Sequence, residues 1–459
     1  MAFFLILPGQ FTAKQSGKQM AYRDARFWET PKGHLIRFRE RQKRQLRLTL
    51  GLNLQSKKSK TPEYEMEFQA QIKREMLRLR RVHPFRVPVA IQLDFTPSIE
   101  REPPSIHSLV KYYLDLIKVP EDRSKRGHNK YLVEDDRLVK ALICNYWLGF
   151  DHSTPEVKIR IATMNSFVRD LQLAEQITHG ERDSGFNADS KRSFRHKRDF
   201  DDALTEVAEE LRDHDIHRNS FIKLMGKEAY EIHRLFLKQR QQEGILKLLE
   251  LRPDGLFLLL SPYIGQKNLP QKYQELQKVI ASAPKQWYSL SGIDLGAVAI
   301  REGDSDIFKT NVRKQLAAFR ENKKILFPLL APIGITILFV PPESEQVRDL
   351  DNLARRIVPV IHDELRPPST ITHSAAAFNA IAPSSNEWTA QLNKELAELR
   401  RIPKYQITQF QVFELKRSRH DPRDGCVYVQ IHGGLLPFGL WHDAEEIIRA
   451  WQDDLGSSF

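Results

Sequence analysis

ITILFVPPESEQVRDLDNLARRIVPVI, residues Ile335 to Ile361, changes character in its middle. The opening six residues are an almost unbroken apolar run closed by Pro341 and Pro342, as a buried strand is closed by a turn. Beyond the turn, Asp349-Leu350-Asp351-Asn352 opens a segment with apolar residues at helical spacing. A second run, IQLDFTPSIEREPPSIHSLVKYYLDLI from Ile91 to Ile117, has the same order of strand, turn, polar tetrad and helix. Later in each half, EVKIRIATMNSFVRDLQLAE (Glu156 to Glu175) lies beside CVYVQIHGGLLPFGLWHDAEEIIRAW (Cys426 to Trp451). The repetition predicts duplication and fusion. The expected fold is α+β, with two domains of mixed sheet and packed helices forming an intrachain pseudo-dimer. Chance repetition of generic α+β element order is the competing explanation.

The two copies are expected over residues 1–179 and 287–459. Phe3 to Leu7 reads as a first strand of one, and GAVAIRE (Gly296 to Glu302) as its counterpart in the other. LIRFRERQKRQLRL (Leu35 to Leu48) and EMEFQAQIKREMLRLRR (Glu65 to Arg81) both read as helix. Between the copies, 180–198 is polar, basic and loop-like, and the pattern from Asp199 to about Pro284 is helical, so 180–286 is expected to be a loop and an all-α insert.

A chain of 459 residues exceeds one ordinary core. With 41% apolar and 28% charged residues it is globular in composition. The net charge of +12 favours a polyanionic partner, nucleic acid first. Cys144 and Cys426 are the only cysteines, which excludes a disulfide framework or cysteine-rich zinc site and fits the cytoplasm. The start, MAFFLILPG, lacks a basic segment and a small-residue cleavage site, and Leu256 to Leu260 is too short to span a bilayer. No membrane association is expected.

Two acidic motifs carry the candidate chemistry. Asp349 and Asp351, two apart on an extended segment, project to one side, and Asn352 adds a neutral oxygen. Hard Mg²⁺ takes oxygen ligands of this kind and leaves positions for phosphate. An ordinary helix N-cap explains the same residues. Glu134-Asp135-Asp136 follows the strand-turn-helix unit containing Lys111, with a solvated acidic turn as its default reading.

Here the sequence resembles the RusA-like Holliday-junction resolvases, small dimeric Mg²⁺-dependent endonucleases. Their pattern is a strand, a Pro-containing turn, D-x-D-N-x-x-K, a helix containing L-D, then a strand-associated D-D. In the first half Lys111, Leu114-Asp115 and Asp135-Asp136 fall in those places, while Ser105-Ile106-His107-Ser108 replaces D-x-D-N. In the second half Asp349, Asp351 and Asn352 match, Arg355 stands where the family has Lys, and the D-D position reads as Thr408-Gln409-Phe410. The resemblance covers roughly residues 1–170 and 287–459. It implies catalytic roles for Asp349, Asp351, Asp136 and Lys111, with Mg²⁺ held by Asp349, Asp351, Asn352, Asp135 and Asp136. In the family the acids are understood to converge within one subunit, and neither copy here retains the full set. Either the halves together build a composite site, or catalysis is lost and a structure-specific DNA binder remains. Glu100, Glu102 and Glu414 are possible replacements.

Between Lys32 and Lys60 there are ten Lys/Arg and one acid, Glu40. Arg37, Arg39, Arg41, Lys43, Arg44 and Arg47, with Arg355, are the candidate phosphate contacts, which supply affinity rather than sequence reading. Tyr22, Phe27, Trp28 and Phe38 either stack on opened nucleotides or pack in the core. His214 and His217 read as an exposed helix face rather than a metal site. The expected partner is branched or structured DNA, with RNA a further option. The alternative is a catalytically inactive adaptor that recruits a protein partner through the helical insert.

Overall fold

The computed structural model describes residues 25–51, 53–56, 61–98, 104–120, 130–147, 154–183, 205–247, 253–265, 292–297, 305–343, 349–367, 404–416, 425–434 and 439–456, and the isolated positions 271, 274, 275, 395 and 399. Its strands are β1 (Leu46–Leu50), β2 (Val89–Thr96), β3 (Val139–Tyr146), β4 (Glu156–Thr163), β5 (Gly292–Ala297), β6 (Ile333–Phe339), β7 (Ile407–Glu414) and β8 (Cys426–Gly433). They form one eight-stranded mixed sheet in the order β1-β4-β2-β3-β7-β6-β8-β5.

Read from either edge inward, the pairings agree. β1 and β4, then β4 and β2, are antiparallel and β2 and β3 parallel; β5, β8, β6 and β7 repeat this in turn. A register shift falls between Val89 and Ala90 in β2, and another between Ile333 and Gly334 in β6. At the centre β3 and β7 run antiparallel, with Ile143 opposite Gln411. β6 and β7 are buried at every position, which is why their sequences read as continuous rather than alternating runs.

The helices are α1 (Pro31–Arg44), α2 (Pro62–Arg78), α3 (Ile106–Ile117), α4 (Met164–Asp183), α5 (Arg218–Met225), α6 (Lys227–Lys247), α7 (Pro253–Leu260), α8 (Ser305–Asn322), α9 (Leu350–Leu365) and α10 (Gly439–Gly456), with a further helical stretch over 205–216 ahead of α5. α1 and α2 begin alike, with a Thr cap accepting a backbone N–H and Pro in the first turn. Tyr64, Phe68, Ile72 and Met76 of α2 are buried at four-residue spacing. One apolar cluster joins them to Tyr113 of α3, Val312 of α8, Ile357 of α9 and one face of the sheet. A second cluster, on the other face, gathers Phe38 of α1, Phe167 of α4, Phe257 of α7 and Trp441 of α10 around Ala90, Ile143 and Phe413. The sheet is thus a central layer between two helical ones.

Several local expectations shift. Leu35 to Leu48 is not one helix: α1 stops at Arg44 and β1 follows, its Leu46, Leu48 and Leu50 buried in alternation with Arg47 and Thr49. The strand expected at Gly296 to Glu302 lies earlier, over Gly292–Ala297, and 298–302 lies outside the described residues, as does Phe3 to Leu7. The loop expected from 180 begins later, because α4 continues to Asp183. The region between the halves is helical where described, but it is built into the body. Leu256 and Leu260 join the second cluster, and Gln242 of α6 donates to the carbonyls of Leu326 and Pro328 and accepts from the Leu330 N–H. Gly334 is required by close approach, since a Cβ there would run into the His432 ring across the sheet. No helix among the described residues is long and apolar enough to cross a membrane.

Candidate acidic centre

α3 and α9 pack against each other and against β3 and β7, over the seam of the sheet. Both are amphipathic, with Leu109, Tyr113 and Ile117 of one and Leu353, Ile357 and Ile361 of the other buried beneath them. This packing faces Lys111 toward the start of α9, where its Nζ lies 2.9 Å from Asp351 Oδ2. Lys111 also lies 3.5 Å from Asp115 Oδ1 and 3.9 Å from Asp136 Oδ2. Lys118, just past α3, donates to Asp136 Oδ2 at 2.5 Å. Oxygen atoms of Asp135, Asp136 and Asp349 all lie within 4.8 Å of one another. The acids of the first half and those of the second therefore meet in one cluster, bridged by the Lys111–Asp351 pair.

The N-cap explanation of Asp349 does not hold. It occupies the cap position of α9 but accepts no capping N–H; instead Asn352 Nδ2 donates to its Oδ2 at 3.1 Å, and its Oδ1 is buried without a hydrogen-bond partner. Asp351 is 2% exposed and its Oδ1 likewise lacks a donor. Asp135, more exposed, accepts the Arg137 N–H. Buried carboxylate oxygens without donors are costly unless a cation answers them.

The electrostatics follow from this crowding. Burial, with Asp136 and Asp351 nearby, holds the Asp349 carboxyl above the usual range although Lys111 and Lys118 oppose the shift. Burial pushes Asp136 up too, but the Lys118 hydrogen bond and charge outweigh it and leave that carboxyl below the ordinary value. Burial lowers Lys111, and its hydrogen bond and ion pair with Asp351 more than reverse the effect. Five carboxylates, those of Asp115, Asp135, Asp136, Asp349 and Asp351, face two ammonium groups, leaving an excess of three negative charges when all are ionised.

The donor set suits Mg²⁺. Its ligand oxygens stand at about 2.0–2.1 Å, so a pair is separated by at most about 4.2 Å across the ion. Oxygen atoms of Asp135, Asp136 and Asp349, all within 4.8 Å of one another, lie close to that range. Asn352 is committed through its amide to orienting Asp349.

Other expected site residues lie elsewhere. Glu414 sits within β7, buried and paired with Lys140 at 2.7 Å, and Glu100 and Glu102 lie outside the described residues. Thr408-Gln409-Phe410 is interior to β7, not ahead of it as Asp135-Asp136 is ahead of β3. Matching the pairing of Val139 with Val89 to that of Ile407 with Ile333 makes Lys404 the counterpart of Asp136. His214 is buried rather than exposed, stacked on Tyr230 at 4.5 Å, with His217 exposed beside it.

The basic segment divides. α1 packs on the layer opposite α3 and α9, so it does not border the acidic centre. Arg37, Arg39, Lys43, Arg44 and Arg47 are exposed, Arg37 lying over the Trp28 ring at 4.9 Å and Lys43 pairing with Glu40. Arg41 instead reaches the fully buried Asp170 of α4 at 2.6 Å. Arg160, stacked over Trp441 at 3.7 Å, and Gln42 both donate to Glu445 beside it. Arg41 is part of the bolt that docks α1. Phe38 is core, Phe27 and Trp28 are half-buried against each other, and Tyr22 lies outside the described residues.

Lys118 was not anticipated. Its signal was present: three residues after Asp115 and seven after Lys111, it continues the same helical face. Compared with known proteins, the chain matches no protein-family model, no curated protein and no solved structure.

Proposed function

We propose that this chain is a fused pair of RusA-like units that binds branched or structured DNA, with one composite Mg²⁺ centre for phosphodiester hydrolysis. The observation that carries the reading is the meeting of Asp135 and Asp136 with Asp349 and Asp351 across the Lys111–Asp351 bridge. The palindromic strand order, with its matching register shifts, supports the fused pair. Asp135, Asp136 and Asp349 would hold the ion, Asp351 adding charge behind them. Bound there, Mg²⁺ supplies Lewis-acid stabilisation of charge on a phosphoryl oxygen. Lys111 holds Asp351 in place, Lys118 orients Asp136, and Asn352 orients Asp349. Arg355, exposed on α9, is on the same layer and contacts phosphate there. Arg37, Arg39, Lys43, Arg44 and Arg47 serve a different arm of the DNA, from the opposite layer.

The test compares four-way junction with duplex of equal length, and cleavage with Mg²⁺ or Mn²⁺. Asp136→Asn and Asp351→Asn, one from each half, are each expected to abolish cleavage while junction affinity stays or rises, because repulsion toward phosphate is removed. Cleavage surviving either change would rule out the composite centre. The adaptor reading draws on α5, which buries no residue and leaves Leu224 82% exposed. Equal binding of junction and duplex with no salt dependence would favour it.

A further inference from the structure

The register that sets Lys111 opposite Asp351 also sets His107 opposite Arg355, one helical turn back on α3 and one turn forward on α9. Burial, and then the Arg355 guanidinium, hold the His107 imidazole below its ordinary value, with His362 nearby. His362 has Asp363 at 3.7 Å. At the seam, the Tyr405 ring meets Tyr146 at 6.2 Å, and the Tyr146 hydroxyl donates to the Pro104 carbonyl at 3.0 Å. Tyr405, just ahead of β7 and next to Lys404, is thus linked through Tyr146 to Pro104, the residue before Ser105 at the start of α3. Asp136, just ahead of β3, meets Asp349 at the start of α9, and the strand registers make Lys404 its counterpart. Exchange of the two halves therefore puts Ser105 in the place of Asp349, His107 in that of Asp351 and Lys404 in that of Asp136.

The chemistry is inverted. A carboxylate cluster repels a phosphate unless a metal lies between them, whereas guanidinium and ammonium groups bind it directly. Arg355, Lys404 and Ser105 are exposed, and Ser105 Oγ lies 3.3 Å from His107 Nε2. We infer that His107, Arg355 and Lys404 form a metal-free site for a backbone phosphate of a second nucleic-acid strand, opposite the acidic centre that takes a first strand with Mg²⁺. The inference rests on the fused-pair reading above. It makes the chain chemically asymmetric toward a two-fold symmetric DNA: one strand is met by carboxylates and metal, the other by fixed positive charge.

The experiment uses the full chain and a labelled four-way junction in EDTA, titrated over a range of NaCl concentrations, with Mn²⁺ stoichiometry measured separately by electron paramagnetic resonance. Arg355→Gln/Lys404→Gln, both at exposed positions, is expected to reduce the magnitude of the log–log salt slope by about 1.8, at roughly 0.9 per lost phosphate contact. Wild type is expected to bind a single Mn²⁺ per chain. An unchanged slope in the double variant, or two Mn²⁺ per wild-type chain, overturns the inference while leaving junction binding intact. Stabilisation of wild type but not the double variant by inorganic phosphate, against NaCl of equal ionic strength, would assign a free-anion site and overturn the nucleic-acid assignment. Wild type that binds no junction at all refutes the fused-pair reading, and the inference with it.

Discussion

Lys111→Met removes the cation that ties the two halves of the acidic centre together. At 2.9 Å and an effective dielectric of about 20, the Lys111–Asp351 attraction is roughly 6 kcal/mol before desolvation is subtracted. Loss of one partner from a buried pair costs about 3–5 kcal/mol, because the remaining charge is stranded. Asp351 is 2% exposed, whereas the Lys111 side chain is 22% exposed, so water reaches one side of the pair. The lower end, about 3 kcal/mol, is therefore expected at neutral pH. Asp351→Leu in the Lys111→Met background removes the stranded charge and should recover most of that loss. Urea unfolding of the four proteins then gives a coupling of at least about 1.5 kcal/mol. Mg²⁺ supplies the positive charge that a thioether side chain cannot: at a hundredfold excess over its Kd it adds about 2.7 kcal/mol. Thermal unfolding with and without Mg²⁺ should show a larger gain for Lys111→Met than for wild type. Additive single and double variants, within about 0.5 kcal/mol, would refute the bridge, and the absence of any Mg²⁺ gain in both proteins would refute the metal-binding role of the cluster.

The other predictions concern pH and the basic helix. His432 is fully buried, and burial holds its pKa down at about 4 against the ordinary 6.5, although the Gly433 carbonyl opposes the shift. The unfolded chain thus binds the extra proton between pH 6.5 and 4. Stability present above 6.5 is lost as pH falls toward 4, by about 3 kcal/mol, and His432→Leu should flatten that part of the pH–stability curve. Arg41→Gln should cost about 3 kcal/mol of folding stability by stranding Asp170, as read by urea unfolding. Arg37→Gln/Arg44→Gln should leave stability nearly unchanged and flatten the salt dependence of DNA binding by about 1.8. Equal behaviour of the two variants in both assays would show that α1 has no division between docking and exposed bases.

Much of the local structure was legible because it is written in short-range periodicity. IHSLVKYYLDLI reads as helix and forms α3 over Ile106–Ile117; EVKIRIAT alternates and forms β4 over Glu156–Thr163. β1 was missed because its five alternating residues adjoin a longer basic run, and a short period-two signal is easily absorbed into helix. Lys404 was missed because counterparts in β3 and β7 are matched by pairing register, which the sequence of neither strand contains.

The sequence alone determined the repeated order of elements and the uneven division of acids between the halves, since both depend only on residue identity and local spacing. Whether those acids form one centre was decided by tertiary structure. Asn145 and Gln409 are 264 residues apart, yet their side chains hydrogen-bond at the seam where β3 and β7 pair. That pairing, with the burial of α3 against α9 above it, puts Lys111 beside Asp351 and Asp136 beside Asp349. The physical reason is that burial of apolar faces selects the register of two distant segments, and charge then falls where the register puts it.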